Sequence, residues 1–385
     1  MKQIVELMMR LIKSELCGCA LETGSQDKLN DERLNRLYEL SKHHDMAHIV
    51  GNAIERNKLA GDSQITRKFQ KRIFLAVYRY ERMKHEYTRV CGLFDEKGIS
   101  YLPLKGAVIR ELYPEPWMRT SCDIDILVHS ADLEATVNML TASGYEIHAR
   151  GENYVSLYTN GEVHVDLHFG VAKEEFVSSA NAVLSDIWSY ASILPGTHRY
   201  VLSDEMFYFY HIAHMAKHFE QGGCGVRPFV DMWILNNKTE FDKEKREALL
   251  KKGNILEFSK AAERLLDVWF EGAEPDILAK KMYDYILGAG VYGSLKNRVL
   301  SVRSKMGGSV SYSLSRIFMP YKKMKLSYPV LEKHKWLLPF MWVHRLIKKL
   351  LVKNRSKAAD EISAMNSLSK KEDREMAAML KMLGL

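Results

Sequence analysis

The chain changes its hydrophobic period at Gly98, and that change limits what it can fold into. Up to this point apolar positions recur at helical spacing, as in Leu37, Leu40, His44, Ile49, Ala53 and Ile54. The run 68–96 carries no proline and only Gly92 as a break. Beyond it, Gly98-Ile99-Ser100-Tyr101-Leu102-Pro103-Leu104 is an apolar stretch of strand length, followed by Lys105-Gly106 and a helical segment to Leu112. Residues 123–128 read as a strand, and Ser130-Ala131-Asp132-Leu133-Glu134 opens a helix with capping-box spacing that Gly144 closes. Residues 145–149, 153–158 and 162–169 read as further strands, with Gly161 in the hairpin turn before the last. After Asp186 helical spacing returns over about 203–220, 228–237, 243–270 and 274–288. The pattern predicts an α+β chain: a small mixed β-sheet with flanking helices, a mostly helical N-terminal segment and a helical C-terminal lobe. At 385 residues two packed lobes are expected over one core, with divisions at 1–98, 99–190, 191–295 and 296–385.

The strand 123–128 carries the chemistry. Side chains two apart share a face of a strand, so Asp123 and Asp125 project together while Ile124 and Ile126 face the core. The same alternation places His164, Asp166 and His168 on one face, against Val163, Val165, Leu167 and Phe169 on the other. With the two strands adjacent, Asp166 joins the first pair. Three converging carboxylates repel, and cations between them relieve the repulsion. An oxygen donor set suits Mg²⁺ or Mn²⁺, the ions of phosphoryl and nucleotidyl transfer. Just upstream, Lys105-Gly106 stands at a strand-to-helix junction, where Gly106 leaves room for a phosphate and Lys105 adds a charge. Arg119, four residues before Asp123, offers a forked donor for a second phosphate oxygen.

Leu104-Lys105-Gly106, Arg119, Asp123-Ile124-Asp125 and His164-Val165-Asp166-Leu167-His168 together resemble the polymerase-β-type nucleotidyltransferase superfamily. More narrowly they are similar to the bacterial family described as uncharacterised nucleotidyltransferases, distant relatives of the aminoglycoside and lincosamide nucleotidyltransferases. The resemblance spans about residues 100–170 and extends weakly to His211, His214, Lys217, His218 and the stretch from Arg227 to Asp231. It implies that Gly106 takes the place of the glycine that opens the triphosphate helix. Asp123 and Asp125 would be the metal pair and Asp166 the third acid. Lys105-Gly106-Ala107 stands where the superfamily carries Gly-Ser or Gly-Gly, and Lys105 is read as a phosphate contact.

The implied activity moves a nucleoside monophosphate from a nucleoside triphosphate (NTP) to an acceptor hydroxyl, with Mg²⁺ or Mn²⁺ as cofactor. A small acceptor such as a sugar or antibiotic-like compound is the first expectation. Transfer to tRNA or protein, and a non-catalytic nucleotide-binding scaffold, are the alternatives. Asp166 is the expected base or base-positioning group. His164 and His168 flank the metals or touch substrate, while His211, His214, Lys217, Arg227 and Asp231 shape the acceptor pocket.

Other features carry less. His211, His214 and His218 share a helical face, which lines a cleft more readily than it binds a transition metal. Gly288-Ala289-Gly290-Val291-Tyr292-Gly293 matches a dinucleotide fingerprint in letters, but it follows a helical stretch where that motif needs a strand. From Lys296 to Lys357 sixteen Lys or Arg face one acid, Glu332. An anionic partner, nucleic acid or membrane surface, is expected to meet this region, and a helix packed on the body with a solvated basic face is the plainer alternative. The last thirty residues read as a solvated charged helix. Five irregularly spaced cysteines make no disulfide framework, and Cys17-Gly-Cys19 lacks the second pair of a zinc knuckle. No uncharged apolar run reaches the ~20 residues of a bilayer span, and the charged N-terminus does not read as a signal peptide, so a cytoplasmic location is expected.

Overall fold

The computed structural model describes residues 2–21, 28–159, 163–172, 178–290, 293–351, 360, 363–365 and 367–385. Helices α1 (Lys2–Cys17), α2 (Asp31–His43), α3 (Ala47–Arg56) and α4 (Gln64–Lys97) make up the N-terminal segment. Ser63 caps α4: its side chain accepts from the Ile65 and Thr66 N–H groups, and the Ser63 N–H donates to Thr66. The helix runs through Gly92 and stops at Gly98, whose φ of 68° suits a residue without Cβ.

The period change then delivers the sheet. Strands β1 (Tyr101–Pro103), β2 (Asp123–Val128), β3 (Tyr145–Arg150), β4 (Tyr154–Thr159) and β5 (His164–His168) lie in the order β1-β2-β5-β4-β3. Only β2 and β5 are parallel, with Asp123 opposite His164 and Asp125 opposite Asp166. One face packs Ile124, Ile126, Val165 and Leu167 against Val90 and Phe94 of α4 and against Val137 and Leu140 of α6 (Leu133–Ala142). The opposite face, with Leu127 and Leu102, joins the larger helical core. A one-residue slip would exchange acids for branched aliphatics, so the buried face pins the register. Helix α5 (Gly106–Ile109) is one turn, continued by a 3₁₀ turn over Arg110–Leu112.

Some expectations need correction. The helix after β2 starts at Leu133, behind a 3₁₀ turn over Ser130–Asp132, and the Ser130 side chain forms no cap; the capping-box spacing misplaced the start by one turn. Gly161 lies outside the described residues. A hairpin of β6 (Ala191–Ile193) and β7 (Tyr200–Leu202) was not foreseen, since three residues per strand are too few to show alternation.

Helices α7 (Ser178–Leu184), α8 (Asp204–Glu220), α9 (Arg227–Lys238), α10 (Lys243–Lys252), α11 (Leu256–Phe270) and α12 (Ile277–Leu287) follow. The expected single helix over 243–270 is broken in two: Gly253 ends α10 and Asn254 sits at a φ of 53°. Close packing requires glycine at position 253. A Cβ on Gly253 would lie 2.4 Å from Cε2 of the fully buried Phe209 ring. Gly253→Ala is therefore expected to cost about 1–3 kcal/mol by overpacking. Urea denaturation checks this, and an alanine variant as stable as the parent would contradict it.

The basic region contains α13 (Leu295–Lys305), α14 (Ser309–Ile317), α15 (Tyr321–Ser327), α16 (Val330–Lys333), α17 (Leu338–Leu351) and α18 (Lys370–Met382). Helix α18 is not the solvated helix expected, because Met376, Met379, Leu380 and Leu383 form a buried stripe. Arg303 of α13 holds it by donating to Met365 O and to Asp373 Oδ2, at 2.7 and 2.5 Å. The glycine-rich run at 288 follows helix α12, as expected, although residues 291–292 lie outside the described set. Among the described residues no helix is long and apolar enough to cross a membrane. All five cysteines are free.

Candidate active site

The parallel pairing of β2 with β5 brings the three predicted acids to one place. Asp123, Asp125 and Asp166 project from one face of adjacent strands, with Asp125 and Asp166 directly opposite. Among the described residues, two groups of acid and histidine donors are close enough to share an ion, and both lie here: Asp123, His164 and Asp166, and Asp125, Asp166 and His168. Within each group the donor atoms lie within 4.8 Å of one another.

Two of the protein's own groups already engage one of these acids. Lys105 Nζ and His168 Nε2 each lie 2.7 Å from Asp125 Oδ1. Burial pushes the Asp125 carboxyl up, but Lys105 and His168 outweigh it and hold the group well below the ordinary carboxylate range. Burial likewise disfavours the Lys105 ammonium, and Asp125, Tyr210 and Asp123 more than restore it. Lys105 stands between β1 and α5 at φ 48°, ψ −122°, a strained conformation for a residue with a Cβ. Its ammonium is thereby anchored on β2 through Asp125. Half-buried Asp123 has no such partner, and its carboxyl is pushed upward by burial and by Asp125, against the pull of Lys105.

Asp166 differs again. Its Oδ1 is 2.9 Å from His164 Nε2 but, although buried, accepts no directed hydrogen bond. His164 Nε2 meets Ser156 Oγ at 2.5 Å, and its ring stacks on Tyr158 with centroids 4.5 Å apart. Burial raises the Asp166 carboxyl, and His164 brings it below its usual value; Asp166 in turn raises His164. The depressed carboxyl contributes stability above pH ~3.9 and loses it as pH falls further; the raised imidazole contributes below pH ~6.5 and loses it as pH rises through its folded value. Without divalent ions, His164→Gln should thus lower Tm most between about pH 4 and 6.5, and least above about pH 8. A deficit independent of pH would contradict the pairing.

The donor chemistry is compatible with a divalent ion such as Mg²⁺ or Mn²⁺: each group offers two carboxylates and one histidine, and both share Asp166, whose buried Oδ1 lacks a directed donor.

Arg119 is placed differently from a free phosphate ligand. Its Nε lies 2.6 and 2.9 Å from the two oxygens of Asp231 on α9, and Tyr113 Oη donates to the same carboxylate at 2.7 Å. Arg227 Nη1 reaches Asp45 Oδ2 at 2.9 Å and Thr120 O at 3.3 Å, while Thr120 Oγ1 donates to Asp45 Oδ2 at 2.7 Å. Arg119, Asp231 and Arg227 thus clasp the loop before β2 to α9 and to the N-terminal helices. Gly106 opens α5, where its carbonyl accepts from Arg110 Nε at 2.7 Å and a Cβ would stand 3.2 Å from Ser121 Cβ.

On α8, His211 Nε2 bonds Pro228 O at 2.8 Å, and His214 and His218 bring their Nε2 atoms to 3.2 Å. Burial, followed by the nearby Lys105 charge, keeps His214 neutral, far below its ordinary pKa. Lys217 is buried on the same helix. The sequence did not single out Tyr210, Arg110, Asp45 or Tyr113. Tyr210, buried on α8, interacts electrostatically with Lys105, Asp125 and Asp123, a relation between distant elements that no spacing encodes. Only Arg110, four residues after Gly106, had a local signal.

This geometry meets an independent finding. Residues 30–271, well over half of the chain, match the family described as uncharacterised nucleotidyltransferase. The chain belongs to this family. The matched region holds the whole sheet, the three acids, Lys105-Gly106 and helices α8 and α9. Family membership makes the chain a transferase of the nucleotidyl class with an NTP as substrate. No curated protein matches the chain.

Proposed function

We propose that the protein transfers a nucleoside monophosphate from an NTP to the hydroxyl of a small acceptor, such as a sugar or antibiotic-like compound, with Mg²⁺ or Mn²⁺ held by Asp123, Asp125 and Asp166. The carrying observation is the β2–β5 register that sets Asp125 against Asp166, with Asp123 one step along the same face. Bound divalent ions supply neutralising charge for the triphosphate and lower the pKa of the attacking hydroxyl.

The chain's own groups divide the remaining work. Asp166, kept ionised by His164, accepts or positions the acceptor proton, and Ser156 fixes the imidazole that supports it. His168 orients Asp125. Lys105 neutralises Asp125 in the protein alone and serves as the positive point charge for a phosphate at the same mouth. Gly106, where a Cβ would crowd Ser121, lets the start of α5 lie close against the loop before β2. Arg119 acts through position: clasped to Asp231, it fixes the loop that delivers Asp123. The α8 face carrying Tyr210, His211, His214 and Lys217 walls the acceptor side.

The test supplies the four NTPs labelled at the α- or the γ-phosphate, with Mg²⁺ or Mn²⁺ and a panel of hydroxyl acceptors. Label from the α-position should enter the acceptor as pyrophosphate is released. Transfer of the γ-label, or transfer unaffected by chelation of divalent ions, would overturn the reading. A steep fall of acceptor affinity with salt would transfer the proposal to a macromolecular acceptor.

A further inference from the structure

Helix α17 shows its apolar stripe to solvent. Its inner side is fastened to the end of α14: Trp342 Nε1 donates to Met319 O at 2.8 Å, its ring lies 5.1 Å from that of Phe318, and Arg345 Nη1 donates to Arg316 O at 3.0 Å. Phe340, Val343 and Ile347, spaced i, i+3, i+7, point outward and are 62%, 56% and 49% exposed. Trp336, in the turn before the helix, is 69% exposed with its ring 6.3 Å from that of Phe340. Exposed Lys333 and Lys335 lie at one end of this row, and exposed His344 and Lys348 run along its edge. The surrounding stretch, 296–357, holds sixteen basic residues against one acid.

Single exposed apolar residues are ordinary, but a row of two aromatics and two branched aliphatics bordered by cations marks an interaction site. Phosphate-rich nucleic acid would satisfy the lysines and stack on an aromatic, yet Val343 and Ile347 offer it nothing. A bilayer surface accommodates both halves: Trp, Phe, Val and Ile enter the acyl boundary while lysines meet anionic headgroups. The inner contacts let the helix do this while it stays seated on α14.

We propose that α17 with Trp336 is a docking face for an anionic lipid surface, independent of the transfer chemistry. The full chain should co-sediment with phosphatidylcholine–phosphatidylglycerol vesicles and much less with phosphatidylcholine alone, and added salt should weaken the binding. The double variant Phe340→Glu, Ile347→Glu should lower the partition coefficient about tenfold or more, with Tm and the far-ultraviolet dichroism of the parent retained. If that variant unfolds, Lys335→Glu, Lys348→Glu must show the same loss on anionic vesicles. Equal binding by parent and folded variants would overturn the proposal. So would failure to bind either vesicle type, whether the chain instead binds a polynucleotide or self-associates through this face.

Discussion

Asp123→Asn is expected to lower kcat about 10³-fold or more, while Tm stays level or rises. The two halves of this expectation share one cause. The Asp123 carboxyl is pushed above its ordinary pKa by burial and by Asp125, so its ionised form burdens the folded protein. A folded-state pKa raised above the unfolded value means that the charge destabilises at neutral pH, and a neutral isostere removes that penalty. The same charge is what a divalent ion requires. Paired rate and melting measurements decide the matter, and activity within about tenfold of the parent would remove Asp123 from the machinery.

The second large effect is on stability. Asp231 is 1% exposed, accepts from Tyr113, and meets Arg119 Nε with both oxygens. Asp231→Ala would leave the Arg119 guanidinium buried without its carboxylate, a loss of about 3–5 kcal/mol. The attraction of such a pair mainly offsets its own desolvation, so Arg119→Met combined with Asp231→Leu should regain much of the loss. Denaturant unfolding of the two variants tests this. A loss under about 1 kcal/mol in Asp231→Ala would show that water, not α9, supports Arg119.

How far the sequence revealed this arrangement depends on the range of each interaction. The alternation Asp123-Ile124-Asp125 and His164-Val165-Asp166 identifies a face, because a strand has a strict two-residue period and its other side is buried. Helix α4 was legible through its length and its Gly98 stop. The need for glycine at 253 was not, because it answers to Phe209, a side chain on another helix. Nor was the clasp: Arg119 reads locally as a phosphate donor, and only packing reveals that α9 brings Asp231 to it. Lys105 read as a phosphate contact from its place beside Gly106; its bond to Asp125 emerges from the antiparallel pairing of β1 with β2 and a strained backbone. Helix α18 carried its buried stripe of Met376, Met379, Leu380 and Leu383 in plain spacing, obscured by the charges around it.

The claim on which the account stands is that acids from two strands hold divalent ions together with a triphosphate. Electron paramagnetic resonance titration of Mn²⁺, with a non-hydrolysable NTP analogue present, measures this directly. The account predicts saturable binding to the parent protein and affinity about 10–100-fold weaker in Asp125→Asn and in Asp166→Asn. Equal Mn²⁺ affinity in the parent and both variants would contradict it.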